Sequence, residues 1–254
     1  MVKVRIKQIL GLSLALAKAQ FKTKNEGSYL GVFWYLLNPL LMFALLYLVF
    51  STRIGQDILH YPLYLLLGII MFNFFHNVTV ESTETIRERA VIVKSINFPK
   101  ESLIGSIVLK TLFSHIFEMI IFVLFLLFFG ISLKTMIFYP IVLVFFCLFA
   151  WGSALILSAV SVYFIDIENI WIFVSRLIWF ATPIFYAIEG QTRLLIFNLF
   201  NPMYYFITIA RDLIIYNRIP HIFLIEGAII YTLLSFFIGL FIFHKLKKRF
   251  AELI

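Results

Sequence analysis

Long apolar runs, separated by short basic or proline-containing segments, set the hydropathy pattern of this chain of 254 residues. A helix needs about 20 mostly apolar residues to cross the hydrocarbon core of a bilayer. Six runs reach or approach that length, and each predicts a transmembrane helix. Their approximate bounds are 29–50, 61–80, 102–129, 136–164, 170–188 and 222–243. The pattern therefore predicts an all-α integral membrane protein with six transmembrane helices in one domain over residues 1–254.

The composition excludes a soluble globular protein. Hydrophobic residues make up 63% of the chain and charged residues 13%, against roughly 45–50% and 25% in soluble domains. The formal net charge of +8 would suggest nucleic acid as a partner of a soluble protein. In a membrane protein, basic residues instead collect in cytoplasmic loops, so we expect no nucleic-acid partner. The single Cys147 excludes an intramolecular disulfide.

The distribution of Lys and Arg predicts the orientation. Fourteen of the 21 basic residues lie in three segments: the N-terminal stretch, the loop between the second and third runs, and the C-terminus. Lys110 and Arg176 are predicted to lie close to the same face, which leaves five on the other side. Basic residues accumulate on the cytoplasmic side of a membrane. Both termini are therefore predicted to be cytoplasmic, as an even number of spans also requires, and the protein to lie in the cytoplasmic (inner) membrane.

Residues 1–26 allow two interpretations. A basic start followed by the apolar run ILGLSLALA (9–17) looks like a secretory signal peptide. Cleavage after it would leave the new N-terminus outside and turn the basic loops to the wrong side. We therefore predict an uncleaved amphipathic helix that lies in the cytoplasmic interface.

Residues 81–101 form the one substantial internal loop on the predicted cytoplasmic side. Thr85 and Glu88 have the spacing of a capping box, which predicts that a helix begins there. The segment Asn97-Phe98-Pro99 should end this helix before the third span. A short, half-apolar helix of this kind suits either a soluble partner or lipid headgroups, and both interpretations stay open.

Residues 190–220 contain two apolar pieces, 194–200 and 203–217, that are too short to span and are separated by Asn201-Pro202. Exposed irregular backbone is not tolerated in lipid. We predict a short helical hairpin that re-enters the outer leaflet. An amphipathic pair lying flat on the membrane is the alternative.

The third run carries a stripe of polar residues, Lys110, His115 and Glu118, at helical spacing. Ionisable groups inside a span are costly and point to function by default. A hydrogen-bonded clasp between helices is favoured over a proton relay, because the first, second and fourth runs contain no acidic residue.

Motifs for nucleotide or metal chemistry are absent from the sequence. No stretch fits a phosphate-binding loop, and no His and Cys residues have the spacing of a metal site. We expect no catalytic residue, no metal and no cofactor in this chain. If the protein moves a molecule uphill, the energy must come from a partner or an ion gradient.

Three stretches, in order, resemble the membrane-spanning subunits of ABC exporters for bacterial polysaccharides, and O-antigen exporters in particular. Permeases that export teichoic acids are similar. The stretches are FKTKNEGSYLGVFWYLLNPLLMF (21–43), INFPKESL (96–103) and NPMYYFITIARDLI (201–214). The resemblance covers nearly the whole chain.

The resemblance implies a homodimer that binds two copies of a separate ABC ATPase, which would bind ATP and Mg. The cargo would be a lipid-linked polysaccharide. The 81–101 loop would contain the coupling helix, and its implied coupling residues are Glu84, Arg87, Glu88 and Arg89. The 190–220 hairpin would form an outer gate, with Asn201, Pro202, Tyr204, Tyr205, Arg211 and Asp212. Helical position suggests, as channel-lining residues, Trp34, Tyr35, Asn38, Phe180 and Tyr186.

Two other functions remain as alternatives. A membrane-embedded enzyme acting on lipid-linked sugars would use His115 and Glu118 as acid and base. An ion-coupled transporter would depend on a proton gradient through Glu118. The absence of an internal repeat argues against the transporter.

Overall fold

The computed structural model describes residues 2–25, 31, 33–95, 97–188 and 191–254, and within these ranges its regular structure is helical. Two 3-10 turns, Thr135–Phe138 and Lys247–Arg249, precede α6 and α11. The α-helices are α1 (Val2–Asn25), α2 (Phe33–Phe50), α3 (Tyr61–Glu88), α4 (Ala90–Ser95), α5 (Glu101–Phe128), α6 (Tyr139–Tyr163), α7 (Ile167–Ala181), α8 (Thr192–Leu199), α9 (Pro202–Ile214), α10 (Ile222–Leu246) and α11 (Phe250–Leu253).

Four of the six predicted spans are confirmed as helices of sufficient length and hydrophobicity, counted over the described ranges: Tyr61–Glu88, Glu101–Phe128, Thr135–Tyr163 and Ile222–Leu253. The first and fifth runs contain shorter helices. α2 has 18 residues, of which 36–50 form the apolar part, and α7 has 15. We name the bundle end with residues 51–60 and 182–188 the outer end, and the end with α4 and α11 the cytoplasmic end, following the predicted orientation.

The fifth run does not form one helix over 170–188 as predicted, because α7 ends at Ala181, two residues before Pro183. Thr182 has extended backbone angles of φ −80° and ψ 138°, the conformation that a following proline imposes. Residues 182–188 then continue without regular structure.

The predicted helix start at Thr85 is also wrong. Thr85 lies inside α3, where its hydroxyl donates to the Glu81 carbonyl at 2.8 Å. Ile86 is buried, so packing against the bundle keeps α3 helical beyond residue 80, where the second span was predicted to end. The separate cytoplasmic helix is α4, which begins at Ala90, and the predicted stop at 97–99 is confirmed as non-helical.

α3 forms the centre of the bundle. It packs against α2, α5, α6, α7 and α9, and most of its residues are buried. Aromatic rings fill the space around it: the centroid of Phe146 lies 5.2 Å from that of Phe74 on α3 and 5.0 Å from that of Phe206 on α9. Because residues 61–72 of α3 are apolar on all faces, burial among other helices is the arrangement that this half of the helix favours.

Small residues bring α6 and α10 into backbone contact. A Cβ atom on Gly152 would collide with the Ser235 backbone, and one on Gly239 would collide with the Gly152 backbone. The Ser153 and Ser235 hydroxyls are 3.0 Å apart. Close approach of backbones at small residues is the usual basis of helix association in membranes.

α1 lies along α5. The Ser13 hydroxyl donates to the Ser102 carbonyl at 3.1 Å. Gly105 faces this contact, since a Cβ there would lie 2.6 Å from the Ser13 hydroxyl oxygen. The N-terminal helix is therefore packed against the cytoplasmic half of α5.

We expect Gly152→Ala to destabilise the protein, because the added methyl group meets rigid backbone of α10. Overpacking of this kind costs about 1–3 kcal/mol. Thermal unfolding in detergent should show a lower midpoint. Gly11→Ala is the control, since a Cβ at Gly11 would meet nothing within 4 Å. Equal midpoints for the two variants would contradict the proposed packing.

Candidate translocation and coupling sites

The outer end is organised by Arg211, a buried arginine on α9 that is 2% exposed. Its Nη1 donates to the Pro183 carbonyl at 2.6 Å, and its Nη2 donates to the Ile184 carbonyl at 3.0 Å and to the Tyr64 carbonyl at 2.9 Å. The guanidinium carbon lies 3.3 Å from the centre of the Tyr64 ring. One side chain thus joins α3, α9 and the non-helical segment after α7.

Gly68 provides the space for this guanidinium group. A Cβ at Gly68 would lie 2.7 Å from Arg211 Nη2 and 3.2 Å from the Ile184 side chain. The Tyr64 hydroxyl adds a further link by donating to the Tyr186 carbonyl at 2.8 Å. We call Arg211, Tyr64 and residues 182–186 the arginine knot.

Asn201 fixes the start of α9. Its side-chain oxygen accepts a hydrogen bond from the Met203 amide at 3.1 Å, which caps the helix. Its amide nitrogen donates to the Thr182 hydroxyl at 2.8 Å. Pro202 occupies the first helical position, which favours helix initiation. Asn201-Pro202 therefore separates α8 from α9, as predicted, and also attaches α9 to the arginine knot.

The other predicted gate residues divide between a cavity and the core. Tyr204, Arg211 and Asp212 line an outer cavity of about 790 Å³, whereas the Tyr205 side chain is buried and its hydroxyl donates to the Leu199 carbonyl at 2.9 Å. Arg218 binds Asp212 at 2.6 Å. Burial raises the pKa of the Asp212 carboxyl above its ordinary value, and Arg218 opposes this shift.

The polar stripe on α5 makes contacts between helices. Lys110 forms an ion pair with Glu81 on α3, and His115 Nε2 lies 2.7 Å from the Tyr139 hydroxyl on α6. Glu118 is 3.6 Å from His115 Nδ1, and all three stripe residues are buried. Lys110 thus contacts an acidic residue of α3 that the sequence reasoning placed in the following loop.

An inner cavity of about 810 Å³ lies among α2, α3 and α5. Side-chain amides from two helices line it, together with an indole and the polar stripe. The lining includes Trp34, Asn38, Asn73, Asn77, Lys110 and Glu118.

The predicted channel residues fall into two places. Trp34 and Asn38 belong to the inner cavity. Phe180 lies near the end of α7, 63% exposed, with its ring centroid 4.8 Å from that of Trp179, and the Tyr186 hydroxyl donates to the Ala181 carbonyl at 2.7 Å. The structure does not bring these two pairs together. The side chain of Tyr35 lies outside the described part of the chain.

The predicted coupling residues are mostly engaged within the protein. Arg87 binds Glu168 on α7 at 2.9 Å. Glu84 is half-buried beside the inner cavity, and Arg89 is also half-buried, whereas Glu88 is exposed.

The sequence reasoning missed two accessible apolar residues of this end. On α4, Val91 is 79% exposed and Ile92 is 43% exposed, while Val93 is buried. The apolar run 90–93 could have predicted this exposure, because one short helix cannot bury all of its faces.

Glu101 is a second feature that the sequence reasoning missed. This carboxylate is buried at the start of α5, where it binds Lys247 and lies 3.1 Å from His244 Nδ1. Lys100, next to it, lies over the ring of the buried Phe250, and burial lowers the pKa of the Lys100 amine, with the charge of Lys247 adding to the effect. These contacts anchor the C-terminal turn beside α4.

Among the described residues, no three His, Cys, Asp or Glu side chains come together in a way that could hold a metal ion. The chemistry of the two cavities is instead that of binding: amides, hydroxyls, rings and single charges.

Within the described residues, helices long enough to cross a membrane enclose two cavities with polar groups in their lining, which defines a multi-pass membrane protein with room for a polar molecule. The model of a family described as ABC-2 type transporter matches residues 12–215, and the chain belongs to this family. It is therefore a multi-pass permease of the inner membrane, and its family implies an ABC ATPase as partner.

Curated relatives match over nearly their full length. The chain is 24% identical over 249 residues to the O-antigen export system permease protein RfbA of Myxococcus xanthus, covering 96% of both proteins. It is 25% identical over 258 residues to the protein of the same name from Klebsiella pneumoniae, covering 100% of this chain and 98% of the relative.

Replacing Arg211 with Met should strongly destabilise the outer end, because three buried carbonyl groups each lose a charged donor. We expect a loss of about 2–5 kcal/mol, measured as a lower unfolding midpoint in detergent. Arg193→Gln removes a charge from an exposed position on α8 and should change the midpoint little. A stable Arg211→Met variant would contradict the assigned role.

Lys110→Met should also destabilise the protein, by about 1–3 kcal/mol, since it leaves the Glu81 carboxylate, which is 35% exposed, without its cation. The double variant Lys110→Met with Glu81→Gln should recover much of this loss. A double-mutant cycle of unfolding free energies tests the pair, and strictly additive losses would show that the two side chains do not interact.

Proposed function

We propose that this chain is the membrane subunit of an ATP-driven exporter that moves lipid-linked polysaccharide, such as O-antigen, across the cytoplasmic membrane. The observation that carries the proposal is the end-to-end similarity to two permeases named for O-antigen export. Full-length coverage makes the comparison one of whole permeases rather than of a shared segment.

The proposed topology has six crossings with both termini in the cytoplasm. α2, and α7 together with residues 182–188, complete the first and fifth crossings. This topology is supported by the excess of basic residues at one end. The arginine knot also supports it, because it satisfies backbone groups that lipid could not. α1 would be the interface helix, and α8 with α9 the outer re-entrant hairpin.

The functional unit would be a homodimer with two ATPase subunits, which bind ATP and Mg. The second copy would lie beside α2 and α7, which carry exposed apolar residues. They include Leu41, Leu45, Leu48, Phe173 and Phe180.

The ATPase would bind the cytoplasmic end at α4. Val91 and Ile92 supply exposed apolar surface, and Glu88 supplies an exposed charge at the adjacent end of α3. Buried Val93 and the Glu101–Lys247 ion pair hold this region to the bundle. Arg87, Arg89 and Glu84 would not contact the ATPase, since their side chains face the permease itself. They would transmit movement of α4 to the rest of the bundle.

The glycan would pass the amide-lined inner cavity. Ring faces stack on sugars through dispersion, and amides exchange hydrogen bonds with hydroxyl groups. Trp34, Asn38, Asn73 and Asn77 provide both kinds of contact. At the outer end, α9 would act as the gate, with Tyr204 and Asp212 facing the passage and Arg211 holding the gate to α3.

The proposal is tested by reconstituting the permease with its ATPase in vesicles that contain lipid-linked polysaccharide. ATP should make the glycan accessible to a glycosidase on the opposite side of the membrane. The readout is the fraction of glycan cleaved with ATP compared with a non-hydrolysable analogue. Equal cleavage under both conditions would refute ATP-driven export.

The double variant Val91→Asp with Ile92→Asp should reduce the yield of co-purified ATPase at least about tenfold, because charges replace apolar surface at the proposed contact. Ile219→Asp is the matched control, since Ile219 is 83% exposed at the outer end. An unchanged yield from a folded double variant would remove α4 from the contact.

A further inference from the structure

α4, the helix that carries the proposed ATPase contact, has little hold of its own on the bundle. Of its six residues, Val93 is the one that is buried, whereas Val91, Ile92, Lys94 and Ser95 are exposed. A helix of this length is not stable by itself in water. The position of α4 must therefore come from the parts of the protein against which it packs.

The C-terminal turn, residues 247–254, supplies much of that packing. α4 packs against α3, which it follows directly in the chain, and against α11 at the far end of the chain. Phe250, the first residue of α11, is fully buried. Its ring stands edge-on to that of Phe243 on α10, with 5.5 Å between the ring centroids. α4 thus rests on a turn that is itself anchored in the bundle.

Two adjacent residues tie the chain that leaves α4 to the same turn. The Lys100 ammonium lies 5.7 Å from the centre of the Phe250 ring, which is within reach of cation–π attraction. The buried Glu101 carboxylate forms an ion pair with Lys247 and lies 3.1 Å from His244 Nδ1. Breaking a buried ion pair is costly, because the partner left behind keeps its charge. α3 therefore holds the beginning of α4, and the C-terminal turn holds the chain at its end.

These contacts join the C-terminal turn to three long helices. Glu101 begins α5, and His244 lies in the last turn of α10. At the end of α6, the Tyr163 hydroxyl donates to the Leu246 carbonyl at 3.1 Å. A displacement of α4 would therefore act on α5, α6 and α10 as well as on α3. Of these, α5 carries Lys110 and Glu118 of the inner cavity.

We infer that the C-terminal turn couples α4 to the inner cavity, with Phe250 and Lys247 as positioning residues of the ATP-driven cycle. The inference rests on the proposed function, which places the ATPase at α4. Neither residue contacts the ATPase in this account, because Phe250 is fully buried and Lys247 is held by Glu101. They act by fixing α4 to the cytoplasmic ends of α5 and α10.

The first test measures the mobility of α4 in the permease alone. A nitroxide label is attached to Ile92→Cys in a Cys147→Ser background, which removes the natural cysteine, and its EPR spectrum is recorded in nanodiscs. Phe250→Ala should increase the mobile fraction of the label, because α4 loses a surface on which it packs. Leu253→Ala is the matched control, since Leu253 lies in the same helix but is 48% exposed.

Phe250→Leu removes part of the same surface and replaces the alanine variant if that variant does not fold. An unchanged label spectrum in the folded Phe250 variant would overturn the inference. So would an equal increase in mobility from Leu253→Ala, because the effect would then not depend on the buried contact.

The second test measures ATP hydrolysis by the complex with the ATPase, with and without lipid-linked polysaccharide. Phe250→Ala and Lys247→Gln leave Val91 and Ile92 in the chain, so the ATPase should still co-purify with an unchanged KM for ATP. The increase in kcat caused by the polysaccharide should fall at least about fivefold, as expected when two sites lose their coupling. Leu253→Ala should retain the wild-type increase.

Two results of the second test would overturn the inference. One is the wild-type increase in kcat in a folded Phe250→Ala variant. The other is loss of the ATPase from Leu253→Ala, which would make the C-terminal turn part of the contact itself. Because the label is measured without an ATPase, a permease that binds no ATPase would refute the proposed function, while the spectrum would still decide whether the turn holds α4.

Discussion

The outer half of this protein depends on one buried guanidinium group. α7 ends before Pro183, and the carbonyls that follow have no helical partner in a place where water is scarce. Arg211 satisfies the Pro183 and Ile184 carbonyls and also the Tyr64 carbonyl. An unsatisfied backbone group in lipid costs several kcal/mol, so the broken helix and the buried arginine require each other. The result is a fixed junction of α3, α7 and α9.

The two ends of the bundle are built differently. At the outer end, one cation binds neutral carbonyls and the ring of Tyr64, which holds the parts at fixed positions. At the cytoplasmic end, ion pairs join neighbouring helices: Arg87 with Glu168, and Glu101 with Lys247. This end also leaves apolar residues of α4 uncovered. The accessible apolar surface of the protein's cytoplasmic end is therefore the surface to which the proposed ATPase contact is assigned.

Hydropathy alone predicted the four long helices, because an apolar run of this length has few other structures available. It overestimated the length of the fifth helix. Residues 182–188 are apolar enough to continue α7, but Pro183 prevents this. The capping box at Thr85 failed because tertiary packing of Ile86 kept α3 intact. Local patterns therefore predicted helix existence better than helix ends.

The candidate functional residues also divide into those with a local sequence pattern and those without one. The polar stripe on α5 was visible because Lys110, His115 and Glu118 recur at helical spacing, and a clasp to another helix was expected. Arg211 was expected in the outer gate, and its burial could not be foreseen, because its partners lie 27, 28 and 147 residues away. Long-range contacts of this kind leave no periodic signal. The exposure of Val91 and Ile92 likewise depends on which face of α4 the bundle covers.

The most direct measurement for the central claim is ATP hydrolysis in a lipid bilayer by the complex of this permease and its ABC ATPase. The account predicts that the two proteins purify together in equal numbers and that hydrolysis rises when lipid-linked polysaccharide is added. A permease that purifies without any ATPase and converts lipid-linked sugars by itself would contradict the account and would assign His115 and Glu118 a chemical role.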